Sequence, residues 1–325
     1  MAPWYQRGVR GGRSVTRPAE SGAIWPNLFI VGAPKAGTTS LHTYLARHPE
    51  AFMCDPKEPH YFSSVTALPA WRGQAGAVTD PNTARMVAPT VTAESAYASL
   101  FAGAGGCRVI GESSTSYLAD PEACRRIRET VPDARIIIMI RDPVERAVSH
   151  HLMYVREGWE TRPLEQAVDD ELRDGAAWAF AYLRNGRYHD DIKRYLDAFG
   201  DRVLVIVLED FVRDVAAGMA PVWEFLGLSP VDIGEARAVN AHTAPRNRVV
   251  AAVMRHDLAW AVGRRLLPTG IRHRVRDATL APAEKPAVAG GLRRRLADYY
   301  AEDMAATERL LGRKLPWHVQ RAQAP

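Results

Sequence analysis

The chain has 325 residues, of which 47% are hydrophobic and 24% charged, a balance typical of a folded globular protein. A membrane-spanning helix needs ~20 apolar residues, and the longest apolar runs are much shorter: Leu28–Ala33, Ile136–Ile140 and Val203–Leu208. No apolar segment with a small-residue cleavage site follows the start, so we expect a cytoplasmic protein without a secretory signal.

The formal net charge of +5 is unevenly spread along the chain. Residues 1–20 carry four arginines and one glutamate, and residues 240–325 carry 16 basic and 7 acidic side chains. The basic C-terminal third indicates an anionic ligand or surface. Nucleic acid is the least favoured partner, because no aromatic residues are interleaved with a basic patch.

Cysteine usage excludes a disulfide framework. The three cysteines, Cys54, Cys107 and Cys124, form no C-x-x-C pair and cannot all be bridged. We therefore expect reduced thiols and no metal site.

Short apolar runs alternate with helical stretches from Asn27 onward. The expected strands are Leu28–Val31, Arg108–Glu112, Arg135–Ile140 and Val203–Leu208. The expected helices are Thr38–Arg47, Pro121–Val131, Pro143 to about Arg156, Arg187–Phe199 and Val215–Leu226. Strands that alternate with helices predict a parallel sheet covered on both faces, so the fold class is α/β, a P-loop-like three-layer sandwich.

The strands are expected to stop after about Val239, where a helical C-terminal extension begins. Its two helices are Arg248–Leu267 and Leu292–Leu311, separated by the basic segment Pro268–Arg276. The predicted organisation is a disordered basic tail over 1–23, one domain over 24–315 that is basic and helical from about 240, and a C-terminal tail over 316–325.

The first strand is followed by Gly32-Ala33-Pro34-Lys35-Ala36-Gly37-Thr38-Thr39-Ser40, here named the anion loop. Its two glycines let backbone N–H groups point inward, and the next helix adds positive potential, so it predicts a phosphate site. The Gly-x4-Gly frame is that of a Walker A loop, but Thr38 stands where that motif requires Lys. The alternative function is a nucleotide kinase or NTPase. It would also need an acidic Mg²⁺ ligand after the third strand, and no residue there is an obvious one.

The first helix is followed by Lys57-Glu58-Pro59-His60-Tyr61-Phe62, here named the base loop. A Glu held between a Lys and a Pro-fixed turn, with aromatic residues beside it, is suited to act as a general base. The alternative is a solvated loop without a catalytic role.

A second phosphate site is predicted where the third strand ends. Arg141 lies at its carboxyl end, where ligands of open α/β sheets bind, and Ser149 lies about two turns along the next helix. Arginine binds phosphate in a bidentate manner. Asp142 is explained as the N-cap of that helix.

These motifs resemble those of sulfotransferases that use 3′-phosphoadenosine 5′-phosphosulfate (PAPS). Pro34–Leu41 resembles their 5′-phosphosulfate loop, and Arg141–Pro143 with Ser149 resembles their 3′-phosphate motif. The base loop is similar to that of the heparan-sulfate-type and bacterial members. The similarity covers roughly residues 25–315 and includes Gly111–Leu118, Gly186–Tyr188, Leu208–Phe211 and Phe225–Leu228.

The resemblance implies metal-free transfer of a sulfuryl group from PAPS to a hydroxyl of a sugar, glycolipid or secondary metabolite. It implies that Lys35 neutralises the leaving 5′-phosphate and that Glu58 takes the acceptor proton. His60 is the second candidate base, because cytosolic aryl members use histidine. The implied nucleotide-binding residues are Lys35, Ala36, Gly37, Thr38, Thr39, Ser40, Arg141 and Ser149.

The chain departs from the family pattern at two places. Ser113 stands where glycan-type enzymes commonly carry Lys, which argues against a highly anionic polysaccharide acceptor. No clear copy of their late Lys-Gly-Arg nucleotide loop is present, and either Arg246 and Arg248 replace it or they begin a plain basic helix. A non-catalytic nucleotide-binding relative is a further alternative, although Lys35 and Glu58 are both present.

The acceptor pocket is expected to come from loops, and its candidates are Ser63–Tyr97 and Arg156–Asn185. The segment Asn247–Arg276 carries much of the basic excess together with Trp260. It is expected to cover the acceptor site, to contact a membrane surface peripherally, or to be a solvated helical face.

Overall fold

A five-stranded parallel sheet forms the centre of the molecule. The computed structural model describes residues 24–64, 91–157, 159–176, 180–234, 243–245, 280–282 and 287–317. The sheet strands are β1 (Leu28–Gly32), β2 (Ala51–Met53), β3 (Val109–Ser113), β4 (Arg135–Ile140) and β5 (Val203–Val207). Their order is β2-β3-β1-β4-β5, and every pairing is parallel. The carboxyl end of β1 therefore lies between those of β3 and β4.

The buried strands explain why the apolar runs predicted a parallel sheet. Every residue of β1 is buried, and in β4 only the first residue, Arg135, is exposed. A strand whose residues are buried in unbroken succession has both faces covered, which requires apolar side chains at consecutive positions. The predicted α/β class with its parallel central sheet is confirmed.

Helices connect the strands and cover the sheet. They are α1 (Thr38–Leu45), α2 (Glu94–Ser99), α3 (Pro121–Thr130), α4 (Pro143–Glu157), α5 (Leu164–Asp174), α6 (His189–Phe199), α7 (Leu208–Arg213), α8 (Val215–Leu226) and α9 (Gly290–Leu311). The helix α6 packs on α3, α9 and β4, and α9 also packs on α4. Within the described ranges, no helix is both long enough and apolar enough to cross a bilayer.

Short elements are where the structure differs from the sequence expectations. The strands do not stop after Val239, because β6 (Thr243–Pro245) and β7 (Leu280–Pro282) form an antiparallel pair. Three residues that include a proline give no periodic pattern. The expected acceptor loop 156–185 contains the helix α5, which buries Ala167 and Val168.

The C-terminal helix is confirmed as α9, beginning two residues before the expected start. The expected helix 248–267, the basic segment 268–276 and both Arg246 and Arg248 lie outside the described residues. Beyond α9, the indole of Trp317 is buried and its Nε1 donates to Glu209 Oε2 at 2.9 Å.

The helix α4 begins at the predicted cap. Asp142 Oδ1 accepts hydrogen bonds from the backbone N–H of Val144 at 2.9 Å and of Glu145 at 3.1 Å. Pro143 at the first helical position needs no such partner. This cap fixes where α4 leaves β4, and hence where the side chains of α4 stand at the sheet edge.

Replacing Asp142 with Ala should lower the free energy of unfolding by about 1 kcal/mol, because two helix N–H groups lose their acceptor. Asp142→Asn keeps an acceptor oxygen and should retain most of the stability. Urea denaturation measures both. Asp214→Ala is a useful comparison, since Asp214 caps α8 through a single hydrogen bond from Ala217 N at 3.1 Å and its loss should cost less. Equal stability of Asp142→Ala and wild type would contradict the capping role.

Candidate active site

The anion loop leaves β1 in a left-handed conformation. Lys35 has φ 69° and Gly37 has φ 90°. The left-handed φ of Gly37 would strain any other residue, and a Cβ there would also displace Leu208, whose Cδ1 would lie 2.6 Å away. Gly37 is also the N-cap of α1 and provides no side-chain cap. The N–H groups at a helix start lack a carbonyl four residues before them, so the start of α1 at Thr38 and Thr39 is suited to an anionic ligand, whereas the Ser40 N–H already donates to Gly37 O at 3.0 Å.

The ends of β1 and β4 are joined through Arg141. Its Nη1 donates to the carbonyl oxygen of Lys35 at 3.2 Å, and its Nη2 stands 3.8 Å from Glu145 Oε2. Lys35 Nζ in turn donates to Met153 Sδ at 3.4 Å. Ser149 is half-buried and lies one helical turn from both Glu145 and Met153, so it shares their face of α4. The predicted residues Lys35, Arg141 and Ser149 therefore lie around one sheet edge.

The base loop is attached to the end of β3. The backbone N–H of Glu58 donates to the carbonyl oxygen of Ser113 at 2.9 Å. The Glu58 carboxylate accepts from Lys57 Nζ at 2.6 Å and from Thr115 Oγ1 at 3.2 Å, and it lies 3.4 Å from His60 Nε2. The Glu58 side chain is 31% exposed, so it is accessible to a second reactant.

Competing effects determine the charge of Glu58. Burial acts to raise the pKa of its carboxyl, but Lys57 and His60 outweigh burial and hold the pKa well below its usual range. Glu58 is therefore ionised at neutral pH, as a proton acceptor must be. It is a weak base while Lys57 holds it, because general-base efficiency falls with the pKa of the base.

His60 is fixed from both sides of its ring. Its backbone N–H donates to Ser114 Oγ at 3.1 Å, its Nδ1 lies 2.8 Å from Ser116 Oγ, and its Nε2 faces Glu58. His60 is 5% exposed, in a left-handed conformation with φ 54°. The structure thus brings both candidate bases together, with His60 on the buried side of Glu58.

A buried carboxylate supports this arrangement. Glu112 is fully buried and accepts from Tyr97 OH at 2.6 Å, from Tyr117 OH at 2.9 Å and from Ser114 Oγ at 2.7 Å. Burial raises the pKa of Glu112, although these hydrogen bonds oppose the rise. Glu112 therefore anchors Ser114, which in turn holds the backbone of His60.

The hydroxyl run Ser113–Ser116 has a role that our sequence reasoning missed. Ser113 contacts His42, and Thr115 contacts Glu58. Ser114 and Ser116 both contact His60. Four consecutive hydroxyl residues immediately after a buried strand are the signal that could have indicated a polar network at this edge.

His42 on α1 also reaches the site. Its Nδ1 lies 2.8 Å from Ser113 Oγ. Burial, followed by the nearby Lys57 ammonium, lowers the pKa of His42 to about 4, although Glu58 opposes this. The ring is therefore neutral at physiological pH and joins the helix of the anion loop to the strand that carries the base loop.

The remaining candidate residues of the anion loop take ordinary places in it. Ala36 is buried, with its N–H donating to Ala33 O at 3.2 Å, and Thr38 begins α1. Thr39 and Ser40 follow in the first turn of that helix. Among the described residues, no group of three or more His, Cys, Asp or Glu side chains is placed to hold a metal ion.

Comparisons with known proteins agree on one family. A model described as "Sulfotransferase family" matches residues 26–232. The crystal structure of a sulfotransferase from Alicyclobacillus acidocaldarius superposes with a TM-score of 0.69 at 30% identity, covering 91% of this chain and 99% of that chain.

Two eukaryotic sulfotransferases are similar over part of their length. The membrane-associated sulfotransferase kil1 of Dictyostelium discoideum is 29% identical over 181 residues, 54% of this chain and 32% of that protein. Human heparan sulfate glucosamine 3-O-sulfotransferase 6 is 28% identical over 211 residues, 64% of this chain and 54% of that protein. The chain thus spans between a third and about half of these curated relatives.

The neutral state of His42 predicts a pH-dependent part of the stability. Its pKa of about 4 in the folded protein lies below the ordinary value of 6.5, so between these values the unfolded state binds the additional proton. This contribution to stability is complete above pH 6.5 and is lost as the pH falls to 4.

Urea denaturation at pH 7 and pH 5 tests this for wild type and for His42→Gln, which keeps a hydrogen-bonding group near Ser113. The free energy of unfolding should fall more between the two pH values in the wild type than in the variant. Equal falls would show that His42 is not held neutral by its surroundings.

Proposed function

Because the chain belongs to the sulfotransferase family, as the match over residues 26–232 shows, we propose that it transfers a sulfuryl group from PAPS to an acceptor hydroxyl. The acceptor class is a sugar, a glycolipid or a secondary metabolite. The human relative is by its name a 3-O-sulfotransferase of heparan sulfate glucosamine, which supports a hydroxyl acceptor. The single observation that carries the proposal is the contact between Arg141 and the Lys35 carbonyl, which unites the two predicted phosphate motifs.

The residues present fit a nucleotide with two phosphate groups. The uncapped start of α1 and the left-handed turn at Gly37 suit a 5′-phosphate held by Lys35 and by residues Gly37–Ser40. Arg141 and Ser149, on the neighbouring strand end and helix, would hold the 3′-phosphate. The nucleotide would supply the electrophilic sulfur. Side chains of this chain would remove the acceptor proton and neutralise the charge on the leaving phosphate.

The ionised state and the partial exposure of Glu58 allow it to receive a proton from an alcohol. Glu58 takes the proton of the acceptor hydroxyl as the hydroxyl oxygen forms its bond to sulfur. The bond from sulfur to the bridging phosphate oxygen breaks, and that oxygen keeps the electron pair. Lys35 neutralises the charge that develops there.

Position distinguishes the two candidate bases. His60 is 5% exposed, and its ring nitrogens already face Ser116 and Glu58. The Glu58 side chain is 31% exposed. We therefore assign the proton transfer to Glu58 and give His60 the role of orienting that carboxylate.

Binding of adenosine 3′,5′-bisphosphate (PAP), measured by calorimetry without metal, tests the nucleotide site. Arg141→Ala should weaken binding by about 1.5–3 kcal/mol, because a charge-assisted contact to phosphate is lost. Lys35→Ala should weaken binding as well. The matched controls are Arg125→Ala and Lys193→Ala, which remove exposed ion pairs on α3 and α6 and should leave PAP binding unchanged.

Two results would contradict the nucleotide assignment. One is PAP binding that is indifferent to both Arg141→Ala and Lys35→Ala. The other is tighter binding of ATP with Mg²⁺ than of PAP, which would favour the kinase alternative.

Turnover of PAPS with a panel of monosaccharides, glycosides and phenols tests the base. Glu58→Gln keeps the shape of the side chain but cannot take a proton, so turnover should fall by about 10²–10⁴-fold while PAP binding persists. His60→Gln should cause a smaller loss. A larger loss in His60→Gln than in Glu58→Gln would assign the base to His60 instead.

A further inference from the structure

A carboxylate stands between two arginines beside the predicted 3′-phosphate position. Glu145 Oε1 accepts from Arg293 Nη2 at 2.6 Å, and Glu145 Oε2 lies 3.8 Å from Arg141 Nη2. Arg141, Glu145 and Arg293 are 15%, 20% and 35% exposed at their side chains, so the group lies at an accessible edge. Each oxygen of one carboxylate thus faces a different guanidinium.

The contact with Arg141 is the looser of the two. At 3.8 Å it is an ion pair without a hydrogen bond, whereas Arg293 donates directly. Arg141 already uses Nη1 to hold the Lys35 carbonyl. An anion with more oxygens than a carboxylate could satisfy both guanidinium groups at once, as phosphate does.

We propose that Glu145 occupies the place between Arg141 and Arg293 that a phosphate of the nucleotide takes on binding, and that Arg293 is a phosphate-binding residue supplied by α9. The proposal rests on the proposed function, since the phosphate in question is the 3′-phosphate of PAPS. On binding, the Glu145 side chain turns outward and both arginines contact the phosphate.

Charge explains why Glu145 must leave. The buried carboxylate of Asp142 and the half-buried carboxylate of Glu209 already lie close by, where Asp142 N donates to Glu209 Oε1 at 3.0 Å. The mutual repulsion of Asp142, Glu145 and Glu209 contributes to the raised pKa of Asp142, although burial is its main cause. A doubly charged phosphate added to these groups is unfavourable while Glu145 keeps its place. Glu145 can turn toward solvent because its side chain is 20% exposed, and the phosphate then replaces it as the partner of the two arginines.

Arg293 would give the nucleotide site a basic side chain from late in the sequence. Of the two sequence alternatives for Arg246 and Arg248, a late nucleotide-binding loop or the start of a basic helix, neither is tested, because both residues lie outside the described residues. Arg293 comes from the first turn of α9 and reaches α4 across 148 positions of the sequence. No local motif surrounds it, so only the packing of α9 on α4 places it at the site.

Calorimetry with two ligands tests the proposal, using PAP and adenosine 5′-monophosphate (AMP), which lacks the 3′-phosphate. Glu145→Gln removes the competing charge and should tighten PAP binding by about 3–10-fold while leaving AMP binding unchanged. Arg293→Ala should weaken PAP binding by about 10-fold, and by at least as much in the Glu145→Gln background, where no carboxylate competes with the phosphate for Arg293. Glu129→Gln and Arg125→Ala are controls that change the net charge identically at an exposed pair on α3.

The outcomes distinguish the proposed roles of Glu145 and Arg293 from indirect ones, in which each residue acts only through its neighbour. Weaker PAP binding in Glu145→Gln would overturn the proposal, since Glu145 would then merely orient Arg141. An Arg293→Ala effect that vanishes in the Glu145→Gln background would also overturn it, because Arg293 would then act only through Glu145. If both Arg141→Ala and Lys35→Ala leave PAP binding unchanged, the proposed function itself fails. If only the Glu145 and Arg293 effects are absent, the inference alone fails.

Discussion

The hydrogen bond from Arg141 Nη1 to the Lys35 carbonyl joins the ends of two neighbouring parallel strands, and the geometry of the site depends on it. It fixes the anion loop after β1 relative to the start of α4 after β4. The Arg141 backbone is held in turn, because Tyr188 OH donates to its carbonyl oxygen at 2.9 Å. Asp303 on α9 accepts from the N–H of Tyr188 at 2.7 Å, so the C-terminal helix supports the centre of the sheet edge.

The second feature of the site is the carboxylate of Glu58, which its neighbours keep ionised. Lys57 and His60 ensure that Glu58 carries its charge, and the same contacts reduce its basicity. In the reaction that we propose, the acceptor hydroxyl would compete with Lys57 for this carboxylate. The buried Glu112 binds Ser114, and Ser114 holds the backbone of His60 beside Glu58.

Local patterns in the sequence were enough to predict the features that depend on neighbouring residues. Continuous apolar runs predicted β1 and β4, glycine spacing predicted the anion loop, and Asp142 with Pro143 predicted the start of α4. Leu208 was expected to end the fourth predicted strand, which is β5 in the structure, but it begins α7, because an apolar residue fits either element and no turn residue separates them.

Contacts between distant segments could not be predicted in this way. His42 meets Ser113 across 71 positions, and the short strand β2 exists only because β3 lies beside it. Its three residues, Ala51–Met53, have no pattern of their own. The residues that surround Glu58 were therefore only partly foreseen. Lys57 and His60 are its neighbours in sequence, whereas Thr115 reaches it through the fold.

A crystal structure of the protein with PAP would test the central claim most directly. We predict the 5′-phosphate against Lys35 and the start of α1, and the 3′-phosphate within hydrogen-bond distance of Arg141 and Ser149. PAP bound away from this sheet edge, or bound with its two phosphates exchanged, would contradict the account.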